Sequence, residues 1–432
     1  MMISAKLGLR NLTRNRWRSG LTLAAVAVAV GLMVWTLAMY EGWINEMVRG
    51  ATAVETGQVE VHTAGYVESP RIYRAFAPDS GMLRRIMAVR NVRAISPRVK
   101  AVGLIGNEQR SQVVQIKGVD PQLEAATTPI RDAIVAGRWL SDDPAPYPAP
   151  REVVLGKGVA QQLGVGPGDT LVVFLEAADG SLGNDLLQVV GVVRTANTQV
   201  DRMAAYLHLK DAQYLTALGD QVQELAIRTT NVDDAEATAD SIATAIDAFA
   251  GTPGKDAALP DSSLVVQSWQ QLMPSVYEMI LLFRRSYWFM YLLIYLVAAV
   301  GILNTQRMSA AERKREFGVM MAIGMRPRRM FRTLVVETAV LGLVGAAIGA
   351  LGGYLLSLYY AKAGFDMSVF TSEGSFSYMG VAFSDRLYFV LRPAIVIEPV
   401  IIMLLVAMVS GLWPAIKAAR IDPAPTIAGR VG

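Results

Sequence analysis

Few residues in this chain are of a type and spacing that perform covalent chemistry. There are no cysteines, which removes disulfides, thiolate metal sites, cysteine nucleophiles and cysteine-linked lipid anchors. The two histidines, His62 and His208, stand far apart and each lies within a β-type pattern. That placement predicts structural histidines with satisfied nitrogens rather than metal ligands. No GxxxxGK[ST] phosphate loop, HExxH zinc helix or GxSxG elbow occurs. The Gly-rich run GVGPGD, Gly164–Asp169, follows a short helical pattern and precedes a strand. A dinucleotide site needs the opposite order, so the run reads as a turn. The sequence predicts no catalytic residue, no metal site and no directly bound cofactor.

What remains is charge. The stretch SAAERKREFGVMMAIGMRPRRM, Ser309–Met330, holds the densest alternation of signs in the chain. Glu312 and Glu316 are four apart and can pair with Arg313, Lys314 or Arg315 along a short helix. Val319, Met320 and Ile323 follow as an apolar face. Gly324 can end the helix, and Pro327 cannot continue it from within. A short amphipathic helix of this kind suits docking into a groove of a soluble partner; a solvated loop helix is the alternative.

The elements around it belong to a membrane protein. Of 432 residues, 53% are hydrophobic and 18% charged, and the mean hydropathy is +0.33. Four apolar segments predict transmembrane helices: Leu21–Tyr40, Tyr287–Leu303, roughly Leu334–Tyr360, and Ala394–Trp413. About 20 residues at 1.5 Å each cross a hydrocarbon core of about 30 Å. The first apolar run is too long for a signal-peptide core and has no clear cleavage site, so it reads as a retained helix. Its pattern continues through Trp43, Ile44, Met47 and Val48. The second lies in a helical pattern from about Trp269 to Met308, which would reach about 60 Å, twice the bilayer core. Arg284 and Arg285 can snorkel to the outer interface. Two overlong helices make a stalk, as a protein needs if movement on one side must be felt on the other. The third span carries Gly342, Gly345, Gly349 and Gly353, small residues that let backbones approach closely, within this bundle or against a second protomer. Glu337 lies near the inner end of that span. No second acid or histidine continues a proton path, so anchoring or helix pairing is expected.

Between the first two spans the pattern changes. From about residue 56 to 265, period-two runs such as QVEVHTAGY, SQVVQIKGVD and DTLVVFLEA alternate with turns and short helical patches. This is an α+β domain, with a β-rich outer subdomain at about 151–225. The whole chain then divides into an amphipathic N-terminal segment (1–20), span 1 with its stalk (21–55), the α+β domain (56–265), and the stalk with span 2 (266–307). A charged loop (308–329), span 3 (330–360), an outer loop (361–393), span 4 (394–413) and a tail (414–432) complete it. The fold class is a membrane protein of four transmembrane α-helices with a large α+β extracytoplasmic domain between helices 1 and 2.

Charge orients this layout. From Gly42 to Phe283 there are 20 Lys/Arg against 28 Asp/Glu, whereas the N-terminal piece carries +5, Gln306–Arg332 +6 and Ile416–Gly432 +2. The positive-inside rule places the large domain outside and both termini and the charged loop in the cytoplasm. The basic N-terminal segment either lies in the headgroup region or only fixes orientation. The sequence pI of about 9.1 reflects these membrane-edge charges and implies no nucleic-acid partner.

The motifs resemble a known family. ERKREFGVMMAIGMRPRRMFRTLVVE with the glycine ladder resembles the FtsX-like permease domain of MacB-type ABC transporters. RNLTRNRWRSGLT before the first span and PAIKAARIDPAPTI after the last resemble that family's ends, and GKGVAQQLGVGPGDTLVV its periplasmic core domain. In layout the chain is similar to the lipoprotein-releasing (LolC/LolE-like) permeases. The resemblance implies a permease of the bacterial inner membrane, multi-pass and non-enzymatic, paired with a second permease as a homodimer or heterodimer. It implies a cytoplasmic ABC ATPase dimer that supplies ATP and Mg chemistry. The coupling helix would be Glu312, Arg313, Lys314, Arg315, Glu316, Phe317, Gly318, Met321 and Gly324. ATP binding would shift the stalk helices and the periplasmic domains, a mode called mechanotransmission. Three roles fit: release of lipoprotein or lipid to a periplasmic carrier, efflux with an adaptor and outer-membrane channel, and signalling. A membrane-anchored binding protein without a motor is the reading outside this family.

Overall fold

The computed structural model describes residues 16–52, 57–195, 198–250, 263–367, 377–378, 381–382 and 386–420. The amphipathic N-terminal segment up to residue 15, most of the second outer loop and the tail from residue 421 lie outside the described residues. The chain forms two compact units. One is Met1–Asn45, Ile280–Met367 and Arg386–Gly432; the other is Glu46–Met279 and Ser368–Asp385.

The first unit is built on four long helices: Arg16–Ala51, Pro274–Glu312, Pro327–Ala363 and Pro393–Ala419. All four are long and apolar enough to cross a membrane. Three open on a proline, where the first turn has no intrahelical use for the missing N–H. The second is 39 residues long, about 58 Å at the α-helical rise. Met273 interrupts the helical pattern before it, leaving Trp269–Leu272 as a separate turn. Half of the apolar window of the first and third helices is buried inside the protein, against 22% and 28% for the second and fourth. The first and third therefore make the packed centre, and the second and fourth present most of the unit's apolar surface.

The second unit contains a ten-stranded sheet. Its strands are β1 (Val59–Thr63), β2 (Val92–Gly106), β3 (Ser111–Val119), β4 (Ile134–Gly137), β5 (Arg151–Gly156) and β6 (Thr170–Glu176). They continue with β7 (Leu182–Val193), β8 (Ala204–His208), β9 (Glu224–Thr229) and β10 (Leu264–Ser268). The order is β10-β1-β9-β2-β3-β8-β5-β7-β4, with β6 paired to both β2 and β7. That last strand closes a ring. The first half of β2 pairs with β9, from Val92 to Arg98, and its end, Gly103–Gly106, turns to β6. The circuit β2-β3-β8-β5-β7-β6 is thus a six-stranded barrel with no free edge between its members. Its strands show the period of two that inward and outward faces demand. In β6, Leu171, Val173 and Leu175 are buried while Val172 and Phe174 are exposed. Ile105, Ile116, Leu155, Leu187 and Leu207 complete the interior, together with Val159 and Leu163 from the helix Lys157–Leu163. Gly164 ends that helix in the left-handed region at φ 72°, and Gly166 N–H donates to Asp169 at 2.8 Å. GVGPGD is accordingly a turn.

Candidate functional site: the basic-side joint

The charged stretch is a joint between helices. The second long helix runs to Glu312, and the short helix Lys314–Ala322 begins two residues later. Arg313 alone separates them, at φ −90° and ψ 6°. Its N–H donates to the Ser309 carbonyl at 3.1 Å, and its carbonyl accepts from the Phe317 N–H at 3.0 Å. Backbone hydrogen bonding therefore passes through the bend, making a stiff elbow instead of a loose loop. One expectation is corrected here: Glu312 is the last residue of the long helix and does not share the short helix with Glu316. The apolar helix simply does not stop at the end of its apolar run, because Ala310 and Ala311 carry good helix propensity up to the bend.

The far end is a Schellman stop. Gly324, at φ 100°, donates to the Met321 carbonyl at 3.0 Å, and Met325 N–H to that of Met320 at 3.0 Å. Pro327 then opens the third long helix. The short helix is held by one apolar anchor. Phe317 is buried against Met330 and Leu334 of the third helix and Ala415 and Ala418 of the fourth, with Met320 and Met321 at the margin. Gly318 is also buried. Val319 and Ile323 point outward, Ile323 with 82% of its surface exposed. The helix therefore has an inner side that positions it and an outer side, with Arg315, that is open.

Charge fixes the elbow. Arg313 Nη1 donates to both carboxylate oxygens of Glu337, at 3.1 and 3.2 Å. Its Nε lies 3.5 Å from Glu316, and its guanidinium lies 5.1 Å from the centre of the Phe317 ring. Glu337, almost fully buried in the third helix, is thus a helix-pairing residue. No local pattern links residues 24 apart, so the sequence pointed to Glu337 as an anchor without naming its partner.

The glycine ladder meets the first helix. A Cβ at Gly349 would strike the backbone of Ala27, one at Gly353 would lie 2.5 Å from the Gly31 carbonyl, and one at Gly345 2.8 Å from Val26. Gly342 instead faces Ala407 of the fourth helix, and Gly352 has open space. The two histidines are structural: His62 contacts Gln267 and the Thr63 carbonyl, each at 2.9 Å, and His208 contacts the Asp142 carbonyl at 3.0 Å.

The sheet unit has an electrostatic centre that sequence patterns did not single out. Arg98, fully buried, lies 2.7 Å from Glu124 and 3.3 Å from Glu224, and Lys100 lies 2.5 Å from Glu224. Ser96 and Thr128 donate to Glu124 at 2.7 and 2.9 Å. Burial alone would push the Glu124 carboxyl up, but Arg98 and these donors hold it below the usual carboxylate range. Glu224 is likewise held down against its burial, chiefly by Lys100 and Arg98. Its neighbour Glu60 goes the other way, raised by burial and then by the Glu224 charge.

Two family models match the chain. Residues 19–245 match the family described as MacB-like periplasmic core domain, and residues 288–423 match the FtsX-like permease C-terminal family. The chain is 23% identical over 368 residues to the lipoprotein-releasing system transmembrane protein LolC of Neisseria meningitidis serogroup B, covering 82% of each chain. It is 21% identical to the macrolide export ATP-binding/permease protein MacB of Shewanella oneidensis, covering 98% of this chain and 60% of that one. The crystal structure of the periplasmic region of MacB from Actinobacillus actinomycetemcomitans is 14% identical, with a TM-score of 0.36, and covers 54% of this chain and 98% of that one. The protein is a multi-pass ABC transporter permease of the LolC/LolE/MacB type with a periplasmic domain. It belongs to the MacB-like periplasmic core domain family, whose match takes in more than half of its length.

Proposed function

We propose that this chain is the permease subunit of a mechanotransmission transporter that releases lipoproteins from the bacterial inner membrane. A separate cytoplasmic ATPase dimer supplies ATP and Mg chemistry, and a second permease, identical or related, completes the complex. Both termini and the joint face the cytoplasm, and the substrate passes to a periplasmic carrier without a path through the membrane. The observation that carries this reading is the elbow at Arg313. A short helix with an outward face of Arg315, Val319 and Ile323 is bonded through one residue to a helix of about 58 Å. A push on that face has little slack in which to be lost. The name of the LolC relative supports lipoprotein as cargo. The name of the MacB relative, a macrolide export protein, favours a second reading, efflux.

The test is reconstitution of the full chain with the ATPase that co-purifies with it. ATP should release a lipid-anchored protein from proteoliposomes into the soluble fraction when a carrier is present. The pair Glu312→Lys with Glu316→Lys should insert normally and lower ATP-driven release by tenfold or more (about 1.4 kcal/mol or more of coupling). Unchanged release by that pair would sink the coupling assignment. Macrolide export without lipoprotein release would establish the second reading in place of the first.

A further inference from the structure

A cavity of about 560 Å³ opens beside the joint, between the second and fourth long helices and the short helix. Arg307, Lys314 and Lys417 line it with Trp413, over a floor that includes Met308 and Pro414. The Arg307 guanidinium lies 5.0 Å and the Lys417 ammonium 5.4 Å from the centre of the same Trp413 ring. The ring holds both cations at the mouth of one cavity, and an anion bound there would be attracted by each. The cavity lining contains no carboxylate, and among the described residues none of these three cations has one within ion-pair distance. Of the residues named for coupling, Lys314 alone lines this cavity.

Depth identifies the ligand class. Arg307 stands about one turn beyond Leu303, where the apolar run of the second helix ends, and Trp413 closes that of the fourth. A tryptophan flanked by cations at the end of an apolar span is the composition of the headgroup layer. Toward the hydrocarbon the same two helices expose Val297, Val300, Met408 and Val409, surface suited to acyl chains. We propose that this cavity binds the headgroup of an anionic phospholipid, with its phosphate shared by Arg307 and Lys417 and Lys314 at the rim. The chain's own N-terminal segment is a poor occupant, because Lys6, Arg10, Arg14, Arg16 and Arg18 would add charge of the same sign.

The experiment uses the full chain in a neutral detergent, titrated with phosphatidylglycerol or phosphatidylcholine and read by native mass spectrometry. Phosphatidylglycerol should be retained in preference. Arg307→Gln with Lys417→Gln should weaken that retention by about tenfold, with an unchanged melting temperature. Arg307→Lys with Lys417→Arg keeps both charges and should keep binding, which guards against a mere folding defect. Arg328→Gln with Arg329→Gln removes two exposed charges outside the cavity and should change little. Equal retention of both lipids, or an equal loss in the Arg328/Arg329 variant, would overturn the proposal. Displacement of phosphatidylglycerol by millimolar inorganic phosphate or ATP would assign the cavity to a soluble phosphate and equally overturn it.

Discussion

The sheet unit and the helix unit solve one problem in opposite ways. Each must bring backbone segments together with enough specificity to exclude near alternatives. The sheet unit has a hydrophobic interior in a closed barrel, and beside it a buried charge cluster around Arg98. Water-excluded charges tolerate few arrangements, so the cluster ties β2 to β9 and to the helix Pro121–Thr127 by chemistry. In the helix unit, apolar burial cannot discriminate, because lipid is as apolar as a neighbouring helix. There the specificity comes from shape: glycines at 345, 349 and 353 admit the first helix to backbone contact. A part-buried charge pair, Arg313 with Glu337, lies at the end of the span and sets the elbow. Where water drives folding, polar groups supply uniqueness; where lipid surrounds the chain, the absence of side chains does.

Three experiments can break this contrast. The largest effect belongs to Arg98→Ala, which leaves Glu124 buried without its counter-charge and Glu224 with Lys100 but without its second one. A loss of about 3–5 kcal/mol is expected, measured by urea unfolding of a 46–279 fragment; a loss no greater than that of a surface arginine would show the cluster to be incidental. Next comes Gly349→Val in the full chain, whose side chain would meet the Ala27 backbone. It should cost about 1–3 kcal/mol or more, seen as a lower melting temperature in detergent. Gly352→Ala, with open space around it, should be neutral or slightly stabilising by about 0.5–1 kcal/mol. If the two behave alike, close packing is not what holds the helices.

The smallest effect is in pH dependence. Glu124 and Glu224 are held below their usual range, so their contribution is present above that range and is lost as pH falls below it through their lowered values. Glu124→Gln should flatten this acid limb. Glu60 is raised, so its contribution is present at low pH and is lost as pH rises through its elevated value. Glu60→Gln should therefore gain on the wild type with increasing pH; a constant offset at all pH would remove Glu60 from the account.

The spans, the turn at Gly164 and the stop at Gly324 are legible because each is a local pattern: an apolar run, or a glycine where φ must be positive. The barrel is not, because its closing pair, Leu104 with Phe174, joins residues distant in sequence whose register no local pattern states. Arg98 lies in SPRVK, which resembles any exposed strand end until Glu124 and Glu224 converge on it. At the joint, the residue types were visible, but which side of the short helix faces inward was not. Phe317 is buried only because Met330 and Ala415 arrive from two other helices.

The contact between the first and third long helices also governs how this chain can change in length. Each residue inserted in a helix rotates everything beyond it by about 100° and advances it by 1.5 Å. One extra residue between Arg16 and Leu21 only displaces the end of the helix, because the contact with Gly345 begins at Leu23. One between Ala27 and Gly31 would turn a bulky side chain onto Gly353. The length of the first helix is therefore open to variation on one side of its contact and closed within it, and deletion scanning across Val26–Gly31 should trace that seam as an abrupt loss of folded protein.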